Sequence, residues 1–205
     1  HYKILDFLIK SSYCKNIELE YHTNLYQIPK KFLSAIGSFK HATINISLDG
    51  VGDVNDAIRW PSRYSKIIEN IKIIKQYANV TIGCNHTISN LNFEHVIEFL
   101  EVHRALGVDL NFVREPLYTS IKLFDVDDLE KIKKHLKSKN KNIYCEYNLD
   151  TLINTTLGVG VSEQQKTFHR KLYVKMWNQF SKKQNQNWNE LFPVAYEFYK
   201  SWSSQ

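Results

Sequence analysis

The spacing of apolar residues along the chain alternates between two periods. In HYKILDFLIKSSY, at positions 1–13, Ile4, Leu5, Leu8 and Ile9 fall on one helical face. NIELEYHTN switches to period two through Ile17, Leu19 and Tyr21, which predicts a strand. IPKKFLSAIGSF predicts a helix with Pro29 in its first turn and Gly37 near its end. HATINISLDG predicts a strand closed by Asp49-Gly50, and a polar, glycine-containing loop follows. SRYSKIIENIKIIKQYA carries Ile67, Ile68, Ile71 and Ile74 on one face, with Ser62 placed to cap it. NVTIGCNHT predicts a strand ending at Asn85 and His86. NFEHVIEFLEVHRALG predicts a helix capped by Asn92 and closed by Gly107. VDLNFVREP predicts a strand. DVDDLEKIKKHLKSKN predicts a helix with acids first and lysines last, as the macrodipole favours. NIYCEYN has strand-like alternation. TTLGVGVSEQQ is expected as a loop, and aromatic-rich helices follow it.

The order αβαβαβαβαβ with short connections predicts parallel strands joined by helical crossovers. The sheet is expected to be either open and doubly wound or part of a barrel. The fold class that fits is α/β, with the alternating layer over residues 1–150 and an aromatic-rich helical extension over 151–205. In such folds ligands lie at the carboxyl ends of the strands. His22, Thr23 and Asn24 close the first strand, Ser47 and Asp49 the second, Asn85 and His86 the third, Arg114 and Glu115 the fourth. Each could serve only a local turn or cap. Their convergence on one rim is what points to a ligand. Arg59 has an ordinary reading as an ion pair with Asp53 or Asp56, and Trp60-Pro61 as a rigid lead into the next helix. The lysine run from Lys131 to Lys141 reads as a solvated helix face.

Composition narrows this only a little. The 205 residues are 43% hydrophobic, enough for a core, and the net charge of +6 fits an anionic ligand or nucleic acid without specifying either. No interleaved basic and aromatic stripe marks an RNA surface, so nucleic acid is not indicated. No signal peptide or membrane span is read, so a cytoplasmic location is expected. Cys14, Cys84 and Cys145 are far apart and lack a C-x-x-C pair, which argues against both a disulfide framework and a local metal knuckle.

The segment SLDGVGDVNDAIRWP resembles the fourth-strand segment of radical S-adenosylmethionine enzymes. IELEYHTNLYQIPKKF is similar to their third strand and helix, and VTIGCNHTISNLNFEHVIEFLE to the fifth. The tail WNELFPVAYEFYKSW looks like that of the twitch-domain-containing members. The resemblance implies a partial TIM-like (β/α) barrel over residues 1–150 that starts at the second barrel helix, with the cluster loop and a Gly-Gly-Glu-Pro segment upstream. A barrel lacking its first strands exposes an edge, so low solubility is expected. The implied cofactors are S-adenosylmethionine and a [4Fe-4S] cluster whose ligands are not in this chain. The implied chemistry is reductive cleavage to a 5′-deoxyadenosyl radical that abstracts hydrogen from a substrate. Cys145 alone near the tail argues against an auxiliary cluster.

By the same resemblance, Arg59 would pair with the cofactor carboxylate, Ser47 with carboxylate or ribose, and Asn85 with ribose. Asp49 would orient Arg59 or hold the loop, and Thr23 and Asn24 would face cofactor or substrate. His86 and Glu115 would lie toward the substrate. A peptide, sugar or nucleotide substrate and a flavodoxin or ferredoxin electron donor are expected. The tail aromatics Trp177, Trp188, Phe192, Tyr196, Phe198 and Trp202 would pack on the barrel or cover its mouth. Two other classes fit the residues. One is a metal-dependent barrel hydrolase or isomerase using His22, Asp49, His86 and Glu115. The other is a non-catalytic basic binding module.

Overall fold

The computed structural model describes residues 2–157 and 160–204. In chain order the elements are α1 (Tyr2–Lys10), β1 (Glu18–Thr23), α2 (Lys30–Ile36), β2 (His41–Ser47), α3 (Asp53–Ile58), α4 (Tyr64–Ile74) and β3 (Val80–Ile88). Then come α5 (Val96–His103), β4 (Val108–Phe112), α6 (Val126–Lys139), α7 (Lys141–Glu146) and α8 (Leu149–Leu157). The chain closes with α9 (Glu163–Gln184), α10 (Trp188–Leu191) and α11 (Pro193–Ser203).

The four strands are parallel and lie in sequence order, β1-β2-β3-β4. A doubly wound sheet reverses its order at a switch point and covers both faces. This sheet does neither. Along β2 the buried Ala42, Ile44 and Ile46 alternate with the half-exposed Thr43, Asn45 and Ser47. Ile82, Cys84, His86 and Ile88 continue the covered face on β3. That face forms one core with Phe32 and Ile36 of α2, Ile67, Ile71 and Ile74 of α4, and Phe99 and Leu100 of α5. All crossovers therefore stack on one side. The molecule is a partial (β/α) barrel with a C-terminal helical region, and its polar face is the one a closed barrel would turn inward. Burying each fully enclosed isoleucine, such as Ile44 or Ile46, contributes about 1.5–3 kcal/mol.

Buried amides pin the connections to this core. Asn70 of α4 donates to the carbonyls of Leu25 and Tyr26, at 2.8 and 3.2 Å, and holds the turn after β1. Asn79 donates to the carbonyls of Ile36 and Phe39, both at 2.9 Å, and closes the end of α2. The tail shares the same core through Tyr173, Trp177, Phe192 and Trp202. Arg170 of α9 is buried, donates to the Leu123 carbonyl at 2.7 Å, pairs with Asp125 at 2.9 Å and lies over the Trp202 ring. The Glu94 carboxylate accepts the amides of Val194 and Ala195, each at 3.0 Å, at the start of α11.

Four local expectations are corrected. The polar loop after β2 contains α3. NIYCEYN is α7, because the Asn140 side chain accepts from the amides of Asn142 and Ile143 and starts a helix there. Thr155–Leu157 belongs to α8 rather than a loop, and α9 begins at a capping box of Ser162 and Gln165. Gly158 and Val159 of that expected loop lie outside the described residues. Ser62 does not cap α4, since its hydroxyl donates to the Arg59 carbonyl; Asp56 accepts from the Tyr64 amide instead.

His86 gives the fold a pH dependence. It is fully enclosed, stacked on Phe99 at 4.0 Å, and donates Nδ1–H to the Leu48 carbonyl at 3.1 Å. Burial pushes its pKa down from 6.5 to about 4. The unfolded chain takes up this proton near 6.5 while the native state refuses it until about 4. Its contribution is therefore complete above pH 6.5 and is lost as pH falls toward 4. His103, also pushed down to about 4 by burial, acts in the same sense. The urea midpoint should decline through this window, and His86→Gln should flatten the decline. An unchanged slope in the variant contradicts the assignment.

Candidate functional site

Register sets polar side chains in rows across the open face. Glu20, Thr43 and Thr81 form one row, and His22, Asn45 and Gly83 the next. Ser47, Asn85 and Asp109 form the third, and Thr87 pairs with Asn111. Side chains facing the same way in neighbouring strands interact. Asn45 donates Nδ2–H to Glu20 Oε1 at 2.9 Å, and the same oxygen lies 3.3 Å from His22 Nε2. Asn85 Nδ2 lies 3.3 Å from His22 Nδ1. Gly83 makes room for this ladder: a Cβ there would sit 2.4 Å from Asn45 Oδ1.

The rim above β2 and β3 is organised by Asp49. Its carboxylate is almost fully enclosed, and Oδ1 accepts the Thr87 amide at 2.9 Å. Oδ2 lies 2.8 Å from Arg59 Nε, with the N–H off the line to the oxygen, so the contact is an ion pair rather than a hydrogen bond. The Asp49 amide donates to Asn55 Oδ1 at 3.1 Å, and the Asp49 carbonyl accepts from Asn92 Nδ2 at 2.9 Å. The second Asn92 amide hydrogen goes to the Thr87 carbonyl at 3.0 Å. Asn92 therefore staples the ends of β2 and β3 together and does not cap the following turn with its side chain.

The intervening glycines have physical reasons. A Cβ at Gly50 would meet Val54 Cγ1 at 2.5 Å, and Gly52 holds φ +55°. Arg59 follows at the end of α3, and Gln184 of α9 braces that turn by donating to the Ala57 carbonyl at 2.9 Å. Among the described residues, Arg59 Nη1 and Nη2, Ser47 Oγ and Asn85 Oδ1 make no hydrogen bond within the protein.

The sequence-predicted residues are thus divided. Ser47 and Asn85 are Cα partners on the open face, Asp49 and Arg59 form a pair at the rim, and His22 belongs to the polar ladder. Arg59 pairs with Asp49 and not with Asp53 or Asp56. Thr23 Oγ1 accepts the Leu25 amide at 3.0 Å, and Asn24 Oδ1 the Tyr26 amide at 3.1 Å, so both also shape the local turn. His86 is not at a strand end: β3 runs on to Ile88, and alternation turns His86 to the covered face, away from His22. Glu115 is exposed beyond β4 beside Arg114, in a groove along that strand. The four residues His22, Asp49, His86 and Glu115 are not gathered at one point, and among the described residues no group of three or more His, Cys, Asp or Glu could hold a metal ion. Glu20, Asn45, Gly83 and Asn92 were missed, although the polar alternation through Thr43, Asn45 and Ser47 carried the signal.

Cys14 and Cys84 are buried in different packing clusters and Cys145 is exposed on α7. Burial pushes the Cys84 thiol up to about 12, which opposes thiolate formation. These cysteines do not fit a four-iron cluster. Among the described residues no helix is long and apolar enough to cross a membrane.

No family model and no curated protein matches the chain. A solved structure titled "Native anSMEcpe with bound AdoMet" is similar at a TM-score of 0.46 and 15% identity. The match covers 64% of this chain and 38% of that one, so the chain spans less than half its length. A likeness of that extent is too distant to carry shared chemistry.

Asp49→Ala should lower stability by about 1–3 kcal/mol, because it leaves the Thr87 amide and the half-buried Arg59 without their partner. Asp49→Asn should cost less, since its carbonyl can still accept from Thr87. Urea denaturation of the two variants checks this order, and equal losses contradict it.

Proposed function

We propose that the open-face rim binds S-adenosylmethionine and that the chain is part of a radical S-adenosylmethionine enzyme. The observation that carries the reading is the meeting of Ser47 and Asn85 as register partners near a rim where Asp49 fixes Arg59. All three of Ser47, Asn85 and Arg59 keep polar atoms unused by the protein. The cofactor is a zwitterion with a carboxylate, an ammonium and two ribose hydroxyls, and the residues fit it. Asp49 holds Arg59 by Nε and leaves its two Nη groups for a carboxylate, the forked geometry that guanidinium suits. Ser47 can donate to or accept from a ribose hydroxyl, and Asn85 Oδ1 can accept from one. The ordered resemblance of three consecutive strand segments to the family supports the same assignment.

When bound, the cofactor supplies an adenosyl group for one-electron chemistry. The residues of this chain bind and orient it. Asp49 is a positioning residue, acting through Arg59. The three cysteines present do not fit a [4Fe-4S] cluster. Thr23 and Asn24 stand at the neighbouring end of β1, where they would limit the site on that side. The dispersed His22, Asp49, His86 and Glu115 give the hydrolase reading no common metal position.

Arg59→Ala should weaken S-adenosylmethionine binding by about 1.5–3 kcal/mol, roughly 10- to 150-fold in Kd. Asn85→Ala should weaken it less, at the neutral hydrogen-bond level of about 0.5–1.5 kcal/mol. Calorimetric titration of the protein and both variants reads this directly. Affinity that ignores Arg59 removes the reading.

A further inference from the structure

An open groove of about 560 Å³ runs beside β4. That volume is within the range of ligand sites, about 300–1,000 Å³. One wall is the strand itself, through Leu110, Asn111 and Phe112. The other includes Thr155 and Thr156 of α8. Their hydroxyls donate back to the Thr151 and Leu152 carbonyls, so their hydrogens are engaged within the helix.

Among the described residues β4 is an edge strand, paired only with β3. The Cys84 amide donates to the Gly107 carbonyl at 3.0 Å, and the Val113 amide donates to the Ile88 carbonyl at 2.9 Å. Residues 107 and 113 therefore turn backbone groups toward β3. Alternation along a parallel strand then turns the N–H and C=O of Val108, Leu110 and Phe112 outward. Among the described residues these outward groups have no backbone partner. Such an edge is a template for another strand.

The groove also has a charged end. Arg114, Glu115 and Lys122 line it, and none of them forms an ion pair with a described residue. Two cations against one carboxylate leave this end positive.

We propose that the groove binds an extended acidic peptide, which adds to β4 as a fifth strand and sets its carboxylates against Arg114 and Lys122. Backbone pairing to Leu110 and Phe112 gives affinity, and the charged end selects the acidic sequence. The inference does not rest on the cofactor reading, because the edge and its charges are separate from the Ser47 rim.

The test titrates the protein with a capped Glu-Thr-Val-Thr-Glu peptide. Parallel titrations use the same peptide N-methylated at alternate residues, and a version with lysine in place of glutamate. Amide hydrogen exchange at Leu110 and Phe112 is the readout. The acidic peptide should slow both amides at least about tenfold at saturation, as strand pairing requires. The N-methylated and lysine peptides should not slow them at the same concentration. Arg114→Ala, at an exposed position, should weaken the acidic peptide about tenfold with an unchanged circular dichroism spectrum. Equal slowing by the N-methylated peptide overturns the proposal, as does no slowing by the acidic peptide. Slowing that follows protein concentration without peptide assigns the edge to a second copy and also overturns it.

Discussion

The burial of one face of a parallel sheet is the constraint on which everything else in this molecule depends. Ala42, Ile44 and Ile46 of β2 and Ile82, Cys84 and Ile88 of β3 sink into a single layer of helices. Strict alternation then leaves Thr43, Asn45, Ser47, Gly83, Asn85 and Thr87 on the opposite side. A slip of one residue would exchange the two sets, so the register that builds the core also builds the polar surface. The candidate site is the reverse side of the hydrophobic core.

The rim translates that register into chemistry. Asp49 lies two residues after the last residue of β2, where its carboxylate reaches across to the Thr87 amide of β3 and outward to Arg59. Asn92 repeats the connection through the Asp49 and Thr87 carbonyls. Because Asp49 and Asn92 are enclosed, neither can move without leaving a buried polar group unmet. Arg59 is held on one side and open on the other. The C-terminal helices complete the arrangement from outside, with Gln184 fixed to the Ala57 carbonyl and Lys183 over the Trp60 ring.

The strong periodic elements were readable because their spacing is dictated by burial: β1 to β4, α2, α4, α5 and α6 all follow the apolar pattern. What escaped was set by contacts between distant residues. The choice between a doubly wound sheet and a barrel depends on the spatial order of strands, which spacing does not encode. NIYCEYN alternates like a strand, yet Asn140 starts a helix there and buries the adjacent Ile143 and Tyr144 together. Asn85 and His86 looked like a strand terminus because both are polar. His86 is tolerated in the core by one carbonyl hydrogen bond and the Phe99 ring, so β3 continues past it. Ser47, Asp49 and Arg59 were legible as a cluster. Sequence alone leaves the partner of Arg59 open between Asp53 or Asp56 and an orienting role for Asp49, and the fold decides it in favour of Asp49.

The central claim is that Ser47, Arg59 and Asn85 face one small zwitterion from the open side of the sheet. Nuclear magnetic resonance of the isotope-labelled protein during addition of S-adenosylmethionine tests it most directly. The account predicts shift changes concentrated at the backbone of Ser47, Asn85 and Thr87 and at the Arg59 guanidinium, with α4 and α5 on the covered side unmoved. Changes centred on those outer helices, or none at saturating cofactor, would contradict it.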